Sequence, residues 1–198
     1  MQSNISYKSK PTLNKNKIII IKNSQNLLEV LERFINIDSQ YKKMLNDIEY
    51  KIKRKEVDHI DMVINMPPIG NTITKIFVVN DNATEDDLRS IGFKIHNYTI
   101  SNGIHDFDMI TKLNGEELYH IIEGILILNY KFTEYVKNNG GSPYVKYNIV
   151  LLGRSQKDQI LMKKHINILE NIINSVGKRL EKETKTNRHY CWLSFSWG

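Results

Sequence analysis

The chain has 198 residues, of which 40% are hydrophobic and 25% charged, with ten glycines and four prolines. That is enough for one domain with a packed core, and too little Gly and Pro for a collagen-like or linker-dominated chain. The net charge of +6 leaves nucleic acid as a weak partner class. Its basic runs (Lys51, Lys53, Arg54 and Lys55, then Lys178, Arg179, Lys182, Lys185 and Arg188) are not interleaved with the aromatics of a single-strand binder.

Residues 1–15 are polar, carry Pro11, and read as a flexible lead-in. Lys17–Lys22 (K-I-I-I-I-K) is a continuous β-branched run that suits a buried strand. Ser24 is the expected N-cap of a helix that repeats Leu27, Leu28, Leu31, Phe34 and Ile35 at helical spacing. A second helix is expected over 39–55. Ile60–Met66 reads as a strand that stops at Pro67 and Pro68 and turns through Gly70 and Asn71, and Lys75–Asn80 reads as another. Thr84 and Asp87 form an N-terminal capping pattern ahead of Leu88 and Ile91, and Gly92 is placed to end that helix in a left-handed conformation. Phe93–Ile100 and Phe107–Ile110 are weaker strand candidates, separated by a turn at Asn102–Gly103.

The clearest helix starts near Gly115, favoured by Glu116 and Glu117 in its first turn, and repeats Leu118, Ile121, Ile122, Ile125, Leu126 and Tyr130. Asn138–Pro143 is a loop, Tyr147–Leu152 a buried strand, and a long helix covers 156–182. The segment 183–198 is aromatic-rich and unlike the rest. Strands alternating with helices give an α/β domain over 16–155, with a mixed, mostly parallel sheet and flanking helices.

Few constellations point to chemistry. His59-Ile60-Asp61 and His105-Asp106-Phe107-Asp108 bring nitrogen and oxygen ligands close, but neither has the spacing of a zinc site, so no metal or cofactor is expected. Asp106 and Asp108 fall on one side of a strand, where a polar strand end is the better reading. Should the chain be an enzyme of another kind, His105, Asp106 and Asp108 are where its chemistry would lie. Cys191 stands two residues after His189 without any sign of a lowered thiol pKa. As the sole cysteine it allows no intrachain disulfide, which fits a reducing, cytoplasmic compartment. The N-terminus has no apolar stretch of signal-peptide length, and the longest apolar region, 121–128, is too short for a bilayer. Two short loops could present backbone amides to an anion: Gly140, Gly141 and Ser142, and Gly153 with Arg154 between a strand and a helix.

The segment Glu123–Tyr135 resembles a motif of the leucyl (cytosol) aminopeptidase family. Glu123-Gly124 is followed by an apolar helical run, then Tyr130, Phe132 and Tyr135 in register, with Val136 where the family has Lys. Thr84-Glu85-Asp86-Asp87-Leu88-Arg89 resembles a short T-x-D-x-L-R helix of the same family. The resemblance implies that family's macro-domain-like N-terminal unit, and it marks the motif residues as structural. In the family, catalysis belongs to a separate C-terminal domain that holds two divalent metals through Lys, Asp and Glu. Its V-G-K-G-like, F-D-S-G-G-like and N-T-D-A-E-G-R-like stretches do not occur here, so no catalytic or metal residue carries over. The expectation is a non-catalytic N-terminal domain acting in assembly or interaction, with catalytic aminopeptidase subunits or copies of itself as partners and no membrane. The alternative is a stand-alone macro-like module binding a nucleotide or ADP-ribose, or nucleic acid.

Overall fold

The computed structural model describes residues 4–8, 12, 15–33, 37, 39–54, 59–66, 70–129, 148–152, 160, 162–173, 175–176 and 178–179, with the backbone alone for 4–7, 40, 59–66, 70–74, 129 and 148–152. In chain order these residues form β1 (Asn4–Lys8), β2 (Asn16–Lys22), α1 (Leu27–Glu32), α2 (Ser39–Lys53), β3 (His59–Met66), β4 (Gly70–Val79), α3 (Glu85–Ser101), β5 (Asp106–Thr111), α4 (Gly115–Asn129) and β6 (Asn148–Leu152). A further helix, α5, runs over 162–173. Residues 160, 175, 176, 178 and 179 of the expected 156–182 helix are helical as well, while its remaining positions and the segment 183–198 lie outside the described residues.

The six strands make one sheet in the order β1-β6-β5-β2-β4-β3. Every neighbouring pair is parallel except β3 with β4. The expected layered, mixed and mostly parallel α/β sheet is therefore what the chain adopts. Strand β2 lies inside it, paired to β5 on one side and β4 on the other. Ile18, Ile19, Ile20 and Ile21 are all buried, as four consecutive β-branched residues require when both sheet faces are covered.

The pleat sends these isoleucines alternately into two cores. Ile18 and Ile20 join Phe77, Phe107 and Met109 beneath α3, α4 and α5, with Leu88, Ile95, Ile121, Ile125, Met162 and Ile166 among the covering residues. Ile19 and Ile21 join Ile76, Val78 and Ile110 beneath α1 and α2, covered by Leu27, Leu31, Leu45 and Ile52. Helix α2 also holds the start of α1, because the buried Glu49 carboxylate accepts from the Leu27 amide at 3.1 Å.

The structure corrects several expectations from sequence. Asn26, not Ser24, caps α1, its side chain accepting from the Glu29 amide at 2.7 Å. Residues 4–8 of the polar lead-in form β1 and pair with β6. The expected capping box is present, with Thr84 and Asp87 satisfying each other's amides, but Gly92 does not end α3. That helix continues through the supposed strand 93–100 to Ser101, and Gly103, at φ 62°, makes the left-handed turn. The segment Phe93–Ile100 carries β-branched and aromatic residues, yet its buried Ile95, His96 and Thr99 follow Leu88 and Ile91 on a helical stripe. Tertiary packing overrides weak local strand preference here.

Gly92 has another role. A β-carbon there would run into the carbonyl oxygen of Ile121 and lie 2.9 Å from the Gly124 α-carbon, and one on Gly124 would run into the Arg89 carbonyl. The two glycines thus let the backbones of α3 and α4 cross in contact, obstructed by backbone atoms rather than movable side chains. Gly92→Ala and Gly124→Ala are each expected to destabilise the protein by at least the ~1–3 kcal/mol typical of overpacking, measured by urea unfolding. An unchanged midpoint for either variant would mean that the helices do not cross this closely.

Candidate functional site

Three polar clusters lie on this framework. The first is built on the crossing itself. Arg89, three residues before Gly92, sends its Nε to Glu123 Oε2 at 2.7 Å, its Nη1 to Asp86 at 2.7 Å and a second nitrogen to Glu85 at 3.0 Å. Glu123 stands one residue before Gly124, so the glycines that bring the helices together also bring this pair into reach. His120 Nδ1 is 3.1 Å from the same Glu123 oxygen, and Tyr119 packs edge-on against His120 and His165. The Glu123 hydrogen bond, seconded by Asp86, holds the Arg89 guanidinium more firmly protonated than usual, and burial pushes the Tyr119 hydroxyl up. An arginine with three acidic partners has no donor set aimed at a substrate. The cluster binds α3 to α4.

The second cluster lies where β2 and β5 begin. Lys17 and Asp108 are register partners on these parallel strands, and both are buried. Asp108 Oδ2 accepts from the Thr12 amide at 2.5 Å and lies 3.7 Å from Lys17 Nζ. Asp108 Oδ1 lies 3.5 Å from Lys15 Nζ and makes no hydrogen bond. Lys17 Nζ donates to the carbonyl of Thr12 at 2.9 Å and to that of Lys15. Lys15 also pairs with Asp106.

Asp108 is therefore no polar strand end. It is a buried carboxylate that fastens the segment around Thr12 and Lys15 across the α1/α2 face of the sheet. His105 is exposed and takes no part in the contacts of this cluster. The alternation Lys15-x-Lys17 against Asp106-x-Asp108 was available in the sequence, but its meaning depends on which strands pair.

The third cluster lies at the opposite, C-terminal edge. The chain leaves β2 toward α1 and leaves β5 toward α4, on opposite faces of the sheet, which makes the C-terminal ends of these strands the topological switch point, the place where open α/β sheets bind ligands. Two ion pairs bridge its flanks: Lys22 with Glu117 at 2.5 Å and Lys112 with Glu29 at 2.6 Å. The Lys112 hydrogen bond holds the Glu29 carboxyl below its usual range. The start of α4 is closed by its own side chains, since Asn114 and Glu117 exchange bonds with each other's amides at 2.9 and 3.0 Å. On the same edge, Asn23 donates to Asn80 at 2.9 Å and Ser24 to Asp81. The polar groups of this edge are thus turned on one another.

Of the site residues read from the sequence, Glu123 and Gly124 are described and sit together at the helix crossing. Tyr130, Phe132 and Tyr135 lie outside the described residues, as do both candidate ligand loops (Gly140, Gly141 and Ser142; Gly153 and Arg154) and Cys191. Among the described residues, no group of three or more His, Cys, Asp or Glu side chains is placed to hold a metal, and no helix is long and apolar enough to cross a membrane.

No family model matches the chain, and no curated protein matches it. Among solved structures it is similar to a mutant of tomato leucine aminopeptidase, with a TM-score of 0.56 and 12% sequence identity over 87% of this chain. The chain spans 37% of that protein's length. At this identity the likeness is one of fold.

Removing one partner from a buried ion pair strands the other, so Asp108→Ala is expected to cost ~3–5 kcal/mol in stability, measured by denaturant unfolding. A loss below ~1 kcal/mol would place Asp108 in solvent instead. Lys17 adds a pH signature. Burial, opposed by Asp108, lowers its pKa in the folded state. Below its folded-state pKa the amine is protonated in both states and the folded protein bears the full cost of burying it. As pH rises toward the ordinary lysine value of about 10.4, the folded state sheds its proton first and that cost is relieved. The stability of the protein relative to Lys17→Met should therefore rise with pH across this window, and a falling difference would contradict the assignment.

Proposed function

We propose that this chain is the non-catalytic N-terminal domain of a leucyl-aminopeptidase-like protein, and that its role is assembly or interaction rather than peptide hydrolysis. The observation that carries the reading is the contact between two sequence segments. Thr84–Arg89 and Glu123–Tyr135 each resemble stretches of the leucyl aminopeptidase family. In the folded chain they meet, with Arg89 bonded to Glu123 and Gly124 lying on the Arg89 carbonyl. The fold shared with the tomato enzyme over 37% of that protein's length points the same way.

The family's catalytic stretches are missing from the sequence. The described clusters are also occupied by mutual ion pairs, an arrangement suited to holding elements together. A surface for a partner is available on α5. Its inner side gives Met162, Ile166 and Leu169 to the core, while Ile168 and Ile172 are about half exposed, in line with Ile160 and Val176 beyond its ends. Ile168, Ile172 and Val176, exposed at i, i+4 and i+8, form the kind of apolar stripe that a docking domain covers.

The test has two parts. The purified full chain, supplied with Mn²⁺ or Zn²⁺, is expected to give no hydrolysis of leucine p-nitroanilide. Metal-dependent turnover that survives rigorous purification would end the proposal. The chain is further expected to bind a catalytic leucyl-aminopeptidase subunit, and Ile172→Glu should weaken that binding by roughly 10- to 100-fold, the equivalent of ~1.5–3 kcal/mol for one buried aliphatic side chain. Unaltered binding by a correctly folded Ile172→Glu protein would rule out α5 as the docking face.

A further inference from the structure

The two edges of the sheet are unlike each other. β1 closes one side with five residues ending in Lys8. β3 closes the other with eight residues, His59-Ile60-Asp61-Met62-Val63-Ile64-Asn65-Met66, and no described strand lies beyond it. Sheet edges are normally blunted by lysine, proline, bulges or short length, because their unpaired N–H and C=O groups are a template for another strand. β3 has none of these devices along its length. Its single acid is Asp61, five of its eight residues are apolar, and Pro67 and Pro68 come only after it has ended.

The β3–β4 pair also runs past the rest of the sheet. β2 pairs with Thr74–Val79 only, so Gly70–Ile73 of β4 pair with β3 alone, opposite Val63–Met66. This leaves a two-stranded ribbon about 13 Å long, at ~3.3 Å per residue. Two strands alone are marginal in water, and a third strand along β3 would support the ribbon.

We propose that the outer edge of β3 pairs with β3 of a second copy of this chain, antiparallel about a two-fold axis at Val63, joining the two six-stranded sheets into one. The sequence of β3 is self-complementary in that register. With Val63 opposite itself, Met62 stands opposite Ile64, Asp61 opposite Asn65 and Ile60 opposite Met66, so apolar meets apolar and polar meets polar. A centre at Met62 sets Asp61 against Val63, and a centre at Asp61 sets two carboxylates against each other. Moving the centre by one residue shifts the pairing by two, so these registers keep the faces of the strand and differ in which side chains they oppose. An isologous pairing is the closed arrangement a single edge permits, since each copy uses the same strand and leaves no further free edge on that side. The proposal does not depend on the aminopeptidase reading, because it rests on the edge strand alone.

Asn65 gives a test through charge, because it stands opposite Asp61 in this register. By symmetry each dimer holds two Asp61–Asn65 pairs. The full-length protein is expected to show a concentration-dependent dimer by sedimentation equilibrium. Asn65→Lys should tighten it and Asn65→Asp should loosen it, each by roughly 2- to 30-fold in the dissociation constant, as two cross-strand charge pairs imply. Circular dichroism is expected to be the same for all three proteins. A protein that stays monomeric at every accessible concentration would overturn the proposal. So would a dimer indifferent to the charge at position 65, which would place the contact on another surface, such as the aromatic segment around Trp192, Phe195 and Trp197.

Discussion

The architecture depends on keeping water from both faces of β2. Four isoleucines in succession cannot be half-buried, because alternate side chains point to opposite faces of the sheet. A strand of this kind needs a neighbour on each edge and a layer on each face, and the chain supplies all four. β4 and β5 flank it, α3, α4 and α5 cover one face, and α1 and α2 cover the other. Isoleucines buried completely contribute roughly 1.5–3 kcal/mol each, so the run Ile18–Ile21 is among the largest local contributions to the core.

Covering one face with two long adjacent helices raises a second constraint. α3 and α4 must approach closely enough to share the sheet between them, and their backbones touch where Gly92 meets Gly124. The ion pair of Arg89 with Glu123 then forms at the same crossing, one turn away from Gly92 and one residue from Gly124. This gives a physical reason for an E-G step followed by an apolar run. The glycine sets the distance between the helices, the glutamate holds the arginine that the short distance brings near, and the apolar residues that follow enter the core. A motif of this type marks a fold and carries no chemistry of its own.

Charge elsewhere in the molecule is used in the same inward manner. Lys17 and Asp108 tie the ends of two central strands to Thr12 and Lys15. Lys22, Glu117, Lys112 and Glu29 bridge the elements around the other end of the sheet. In these clusters the charged groups are spent on one another. Two features are left without a partner among the described residues: the apolar stripe of α5 and the outer edge of β3.

Much of the fold was legible in the sequence. The run K-I-I-I-I-K marked a buried strand without reference to any other part of the chain, because only a strand covered on both faces tolerates it. Thr84 with Asp87 marked the start of α3, and the spacing of Leu118, Ile121, Ile122, Ile125 and Leu126 marked α4, because capping and amphipathic periodicity are local properties. The Glu123–Gly124 step was recognisable as the start of the segment Glu123–Tyr135, which carried the resemblance. Its partner Arg89, 34 residues earlier, was not identified as such. What the tertiary structure alone decided is what depends on partners distant in sequence. Phe93–Ile100 became helix because Ile95, His96 and Thr99 are buried on the same stripe as Leu88 and Ile91. Asp108 became a buried carboxylate because β5 lies beside β2 and sets it against Lys17. β3 became an edge because strand order places nothing described beyond it. The physical reason is the same each time: a residue's own preference sets its local conformation only until burial against a remote element contributes more free energy than that preference does.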